Sequence, residues 1–140
     1  MNYNFDAFPC YYVKTRWAES ALRDFYNSHM NSYDITGRQF TLLTLISTNE
    51  GCSVRELADM IVLERSTVNR SILPLFKKRL IVDRKITGTR NSQLAITEEG
   101  INTLVVATKA WEKAQNSIET KFGKDEIIII NRVLKELGSL

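Results

Sequence analysis

The chain is poor in the residues that build most chemical sites. It has two cysteines, Cys10 and Cys52, and one histidine, His29, in 140 residues. Two thiols and one imidazole are too few for a disulfide framework or a four-ligand zinc site, so no metal is expected. His29 has no neighbouring serine or acid in a triad pattern and reads as a capping or surface residue. Glycine-rich phosphate loops and paired-carboxylate motifs are also missing, so neither an enzyme nor a bound cofactor is expected. No apolar run approaches the roughly 18–20 residues that cross a bilayer. Residues 1–6 lack the basic region and apolar core of a signal peptide. A cytoplasmic protein without a membrane partner is the expectation.

The composition that remains is that of a folded chain, 44% hydrophobic and 25% charged, which argues against disorder. Its length suits one domain, or a lobe that completes its core with a second copy. The net charge is only +3, and its distribution says more than its size. Lys77, Lys78, Arg79, Arg84, Lys85 and Arg90 crowd one stretch, which suits a nucleic-acid partner.

Apolar residues recur at the helical period from Phe8 to His29, with Pro9 suited to a first turn. Thr36 can cap a second helix to Ser47. Ser53, with Glu56 three residues on, forms a capping box for a short helix through Ile61. The brief link Val62-Leu63 then leads into a helix from Glu64 to about Arg79, and two helices so joined must cross steeply. Ile81 to Ile86 and Ser92 to Ile96 read as strands around a turn at residues 87–91. Thr97 caps a helix to about Phe122, with Glu98 and Glu99 in its first turn, and a last helix starts at Lys124 or Asp125. The fold class is therefore mainly α with a small β-hairpin wing. A winged helix-turn-helix lobe spans 35–97, an N-terminal helix 1–34 and C-terminal helices 98–140.

At about 100° per residue, Val68, Ile72, Leu75 and Phe76 share one face of the fourth helix, which is the core side. Ser66, Arg70 and Lys77 lie nearly opposite, with Thr67 on the flank and Arg65 and Asn69 at the margins. Arg70 can bond a guanine edge at two points, and Ser66 and Thr67 can reach bases or phosphates. On an isolated helix such a face is more often simply solvated. The capped helix before it and the basic hairpin after it favour duplex DNA. Ser53, Arg55, Arg84, Lys85 and Arg90 are the candidate contacts from the flanks and wing. Pro74 removes the N–H that would bond the Arg70 carbonyl and should bend this helix on its outward side.

The order and spacing of Gln39-Phe40-Thr41-Leu42-Leu43, Val54-Arg55-Glu56-Leu57-Ala58, Arg65-Ser66-Thr67-Val68-Asn69-Arg70, Leu80-Ile81 and Leu94-Ala95-Ile96-Thr97-Glu98-Glu99-Gly100 resemble the MarR family of winged helix-turn-helix transcriptional regulators. The resemblance covers about Thr36 to Gly100 and implies a homodimer whose terminal helices intertwine while two lobes read a pseudo-palindrome. Four successive isoleucines, 127–130, agree, because they place apolar groups on every side of a helix. A plain core helix is the other reading of that segment. Val62 and Arg79 stand where the family usually carries glycine, so altered local turns are expected. Gly88 and Thr89 replace an acidic and a basic wing residue, which leaves Arg90 to carry the minor-groove contact.

Members of this family commonly leave DNA when a small aromatic anion binds or a cysteine is oxidised. A helix N-terminus favours a thiolate, so Cys10 is a candidate redox sensor with sulfenic acid as the first product. The competing reading is an inert cysteine packed in the dimer interface, and Cys52 has no assigned role. Control by abundance, or by another protein, would need no effector at all. The function expected is a sequence-specific transcriptional regulator, with repression implied by the resemblance as the family's common mode; the alternative is a winged-helix protein-interaction module that does not read DNA.

Overall fold

Thr36, Ser53 and Thr97 each begin a helix by accepting a backbone N–H on the side-chain hydroxyl, from Gln39, Glu56 and Gly100 respectively. At the first two, the third helical residue reaches back to the cap's own N–H, completing the capping box. These starts divide the chain, whose computed structural model describes residues 3–140; residues 1 and 2, the beginning of the segment without a signal-peptide pattern, lie outside the described residues. The helices are α1 (Tyr11–Met30), α2 (Gly37–Thr48), α3 (Val54–Ile61), α4 (Arg65–Lys77), α5 (Glu98–Phe122) and α6 (Lys124–Leu137). A 3₁₀ turn at Asn31–Tyr33 follows α1, and the antiparallel strands β1 (Ile81–Asp83) and β2 (Leu94–Ile96) stand between α4 and α5. This is the helical fold with a hairpin wing that the sequence predicts.

The two connections expected to change keep the glycine-type backbone instead. Val62 has φ 57° and Arg79 φ 58°. At the end of α3, Leu63 N–H donates to the Ala58 carbonyl and Val62 N–H to the Asp59 carbonyl. At the end of α4, Leu80 and Arg79 repeat the pattern on Leu75 and Phe76. Both are Schellman motifs, which require a left-handed residue just past the helix. Leu80 is buried and Leu63 packs against the core, so tertiary burial holds two unfavourable residues in place.

Two boundaries differ from expectation. α1 starts at Tyr11 and not at Phe8, which leaves Pro9 outside the helix and makes Cys10 its extended N-cap. A residue before proline is pushed from the helical region, and Phe5 and Phe8 instead set their edges against Trp17. The strands have three residues each, shorter than the alternation predicts. Beyond Asp83 its own carboxylate accepts from Lys85 and Gln93 N–H, at 3.0 and 2.9 Å, and this local capture competes with the ladder.

Ile81 pairs with Ile96, Val82 with Ala95 and Asp83 with Leu94. Cys52 adds a backbone bridge to Leu94, so its segment locks the wing to the turn before α3. Burial raises the Cys52 thiol pKa, with the nearby Glu56 charge a smaller cause. Gly100 seats α5 on this lobe. A Cβ there would lie 2.1 Å from the Leu80 carbonyl oxygen, closer than any packed side chain is found.

Val68, Ile72 and Leu75 of α4 are buried as the wheel predicts, with Phe76 packed beside them. They meet Leu42, Leu43 and Ile46 of α2 and Leu57 of α3 in one core. Pro74 sits inside an unbroken α4. By contrast, α1 buries only Met30 and α6 buries nothing.

Candidate nucleic-acid interface

The short α3–α4 link projects the first turn of α4 from the lobe. Its N-cap, Glu64, makes no side-chain cap. The Thr67 and Val68 N–H groups both use the Glu64 carbonyl, and those of Arg65 and Ser66 have no acceptor among the described residues. Free N–H groups at the positive end of a helix attract phosphate oxygens. No acidic side chain stands in that first turn.

Arg65, Ser66, Asn69, Arg70 and Lys77 are exposed and Thr67 is half-buried, so all six predicted residues of this helix remain at its surface. Arg70 Nη2 donates to Thr67 Oγ1 at 3.3 Å, which leaves most of the guanidinium available. Ser71 Oγ donates to the Thr67 carbonyl. Lys77 lies at the far end of the helix. Lys78, its neighbour, is turned away and pairs with Asp34 Oδ2 at 3.0 Å, tying α4 to the left-handed connector before α2.

The wing is an exposed loop across residues 84–91. Thr89 N–H donates to the Ile86 carbonyl at 3.0 Å, closing a turn with Gly88 at φ 92° in its third position, as a type II turn demands. Lys85 and Arg90 are exposed with no carboxylate in ion-pair range among the described residues. Arg84 is different, because its Nη1 lies 2.7 Å from Glu50 Oε1. Glu50, absent from the sequence-predicted set, holds that arginine at the wing base. No short-range pattern could reveal a pair 34 positions apart.

Ser53 is buried, with its hydroxyl accepting from Glu56. Its N–H donates to Glu56 Oε2 at 2.7 Å; this backbone bond is the largest cause of a lowered Glu56 carboxyl pKa, with the Ser53 side chain a smaller one. Arg55, two residues after Ser53, is exposed. Cys10 is exposed beside exposed Tyr11 and Tyr12, far along the chain from α4. No group of three or more His, Cys, Asp or Glu among the described residues is arranged to hold a metal. No helix there is long and apolar enough to cross a membrane.

The MarR family model matches residues 33–84, the stretch from the connector through β1. SarZ, an HTH-type transcriptional regulator of Staphylococcus aureus, is 28% identical over 76 residues, 54% of this chain and 51% of the relative. The chain thus spans about half the length of the curated relatives it matches. In structure the likeness extends over nearly the whole chain. The transcriptional regulator MosR of M. tuberculosis in complex with DNA matches 93% of this chain and 94% of its own, at TM-score 0.80 and 25% identity. The repressor CouR bound to a 23-mer DNA duplex matches 99% of both chains at TM-score 0.84 and 18% identity. The capped helix-turn-helix, its hairpin wing and these likenesses agree on the fold: the chain is built as a winged helix-turn-helix similar to the MarR-family regulators, whose family model matches its central stretch.

Proposed function

We propose that this protein is a dimeric, sequence-specific DNA-binding regulator of transcription, and not an enzyme. The observation that carries the reading is the exposed first half of α4. Arg65, Ser66, Asn69 and Arg70 are all solvent-facing on a lobe whose fold is shared with DNA-bound MosR and CouR. In such a complex α4 enters the major groove, with Arg70 bidentate on a guanine edge. Thr67 orients Arg70, while Arg65, Lys77, Lys85 and Arg90 meet the backbone and the adjacent minor groove. Arg55 adds a phosphate contact from α3, and Ser53 contributes by fixing the start of that helix. Arg84 contributes after its exchange from Glu50 to a phosphate.

The second copy covers the apolar faces of α1, α5 and α6, where Tyr11, Tyr12, Ile128, Ile129 and Leu134 are exposed in the single chain. Two lobes related by a two-fold axis read half-sites about one helical turn apart. The regulator acts as a repressor, released by a small aromatic effector or by oxidation at Cys10. It works in the cytoplasm, where its DNA is.

Selection of bound fragments from a genomic library at two salt concentrations tests this reading. An enriched pseudo-palindrome whose affinity falls steeply with salt is expected. Salt-sensitive binding without enrichment would replace it with an architectural role, and no binding in either buffer would remove DNA as the partner. Cys10→Ser should abolish peroxide release if Cys10 is the sensor, and leave it unchanged if it is not.

A further inference from the structure

A cleft of about 290 Å³ opens between α1, the start of α2 and one flank of α4. Arg23, Asn27, Arg38, Gln39, Thr67 and Arg70 line it. Its polar groups are biased toward donation. Asn27 Oδ1 already accepts from Gly37 N–H at 2.8 Å, and Gln39 Oε1 from Thr36 N–H at 2.9 Å. Both amides therefore offer NH₂ groups, and neither has an acceptor for them among the described residues. Gln39 is only 9% exposed, and its NH₂ group keeps access to the solvent of the cleft. Thr67 Oγ1 accepts from Arg70 and keeps its own proton to donate.

The charge has the same bias. No carboxylate lines the cleft. Arg38 and Arg70 have no ion-pair partner among the described residues, whereas Arg23 is shared with Glu19 at 3.2 Å and Asp24 at 3.9 Å. Arg38 also occupies the first turn of α2, where the helix dipole disfavours a cation. Two unpaired guanidinium groups, with Arg23 and two amide donors beside them, give the cleft a positive potential and a surplus of donors that an anion would satisfy.

We propose that this cleft is an oxyanion site that takes a phosphate group. Arg38 and Gln39 supply the floor, and Arg70 with Thr67 supplies the side shared with the DNA-reading face. That sharing admits two sources of the same chemistry. One is a phosphate of the DNA backbone next to the bases that Arg70 meets, which would extend the footprint from α4 onto α2. The other is a free phosphate-type anion, which would draw Arg70 away from DNA. Only the choice between these sources rests on the DNA-binding reading above.

The test is a titration of the free protein with inorganic phosphate against chloride at constant ionic strength, followed by ¹H–¹⁵N NMR including the arginine and amide side chains. Saturable shifts centred on Arg38, Gln39 and Thr67 are expected. Gln39→Glu keeps a side chain suited to the capping box but puts a carboxylate where the donor was. It should weaken phosphate binding at least about tenfold, the scale of one charge-assisted hydrogen bond. Arg38→Ala removes an unpaired cation, and should weaken binding by a similar factor. Absent shifts, or shifts that persist unchanged in both variants, overturn the site.

Duplex binding then separates the sources. If the backbone supplies the phosphate, Arg38→Ala weakens all sequences alike and lowers the salt slope by about one. If a free anion does, Arg38→Ala leaves duplex affinity in place and removes competition by phosphate. A chain that binds no DNA yet shows the saturable shifts would sink the regulator reading while keeping this one.

Discussion

Between Ile35 and Ala95 the chain buries Leu42, Leu43, Ile46, Leu57, Leu75 and Ile81 to within 1% of zero exposure. Over α6 it buries nothing, and Ile128, Ile129 and Leu134 are all more than half exposed. The lobe closes around its own core, with capping boxes at two helix starts and Schellman turns at two helix ends. The flanking helices leave Tyr11, Tyr12, Val105, Ile128 and Leu134 exposed among the described residues. Such surface seeks water-free contact. On the proposed reading, the difference separates a lobe closed around its own core from helices that a second copy would finish.

The largest expected effect breaks the unfinished half. Ile128→Glu combined with Leu134→Glu should weaken the dimer by about 3 kcal/mol or more, or two decades in its dissociation constant. Sedimentation equilibrium reads it directly. A wild-type chain that is monomeric at micromolar concentration, or a dimer indifferent to the double change, would break the comparison.

Within the lobe, Gly100→Ala should be the most damaging small change, because the added carbon meets backbone at Leu80 and has no rotamer to escape into. A loss of about 2–3 kcal/mol in urea unfolding is expected. Val62→Gly should act in the opposite direction. Relief of a left-handed valine outweighs the added chain entropy and stabilises by about 1 kcal/mol. Destabilisation by glycine would mean that the exposed Val62 side chain makes contacts that outweigh its backbone strain.

The smallest effect concerns acid. Hydrogen bonds from Ser53 lower the Glu56 pKa in the folded state, so its contribution is present above the unfolded carboxylate pKa. It is lost as pH falls through the unfolded value toward the lowered folded one. Glu56→Gln should flatten the acid limb of the stability curve in that window and converge with wild type below it. Parallel curves for the two proteins would show that this carboxylate is not part of the linkage.

What could be read from sequence follows the range of the interactions. Thr36 with Gln39, and Ser53 with Glu56, declare helix starts because cap and partner lie three residues apart. The core and outer faces of α4 follow from Val68, Ile72 and Leu75 at helical spacing. The left-handed backbone at Val62 and Arg79 was not legible, because local preference opposes it and packing of Leu63 and Leu80 imposes it. The start of α1 was misplaced because the aromatic contacts at Trp17 compete with the helix. In the interface, the exposed residues of α4 were legible from periodicity alone. The Glu50–Arg84 pair, the burial of Ser53 and the gathering of Arg23, Arg38 and Arg70 depend on contacts between distant segments. Arg38 did leave one local trace, a cation in a helix first turn.

The most direct measurement is duplex binding by Arg70→Ala beside wild type and Lys77→Ala, across all single-base variants of the selected operator. Arg70→Ala should lose about 1–3 kcal/mol of discrimination at particular base pairs, while Lys77→Ala weakens every sequence alike and lowers the salt slope. Uniform loss across all variants for Arg70→Ala would contradict a base-reading role for the exposed face of α4.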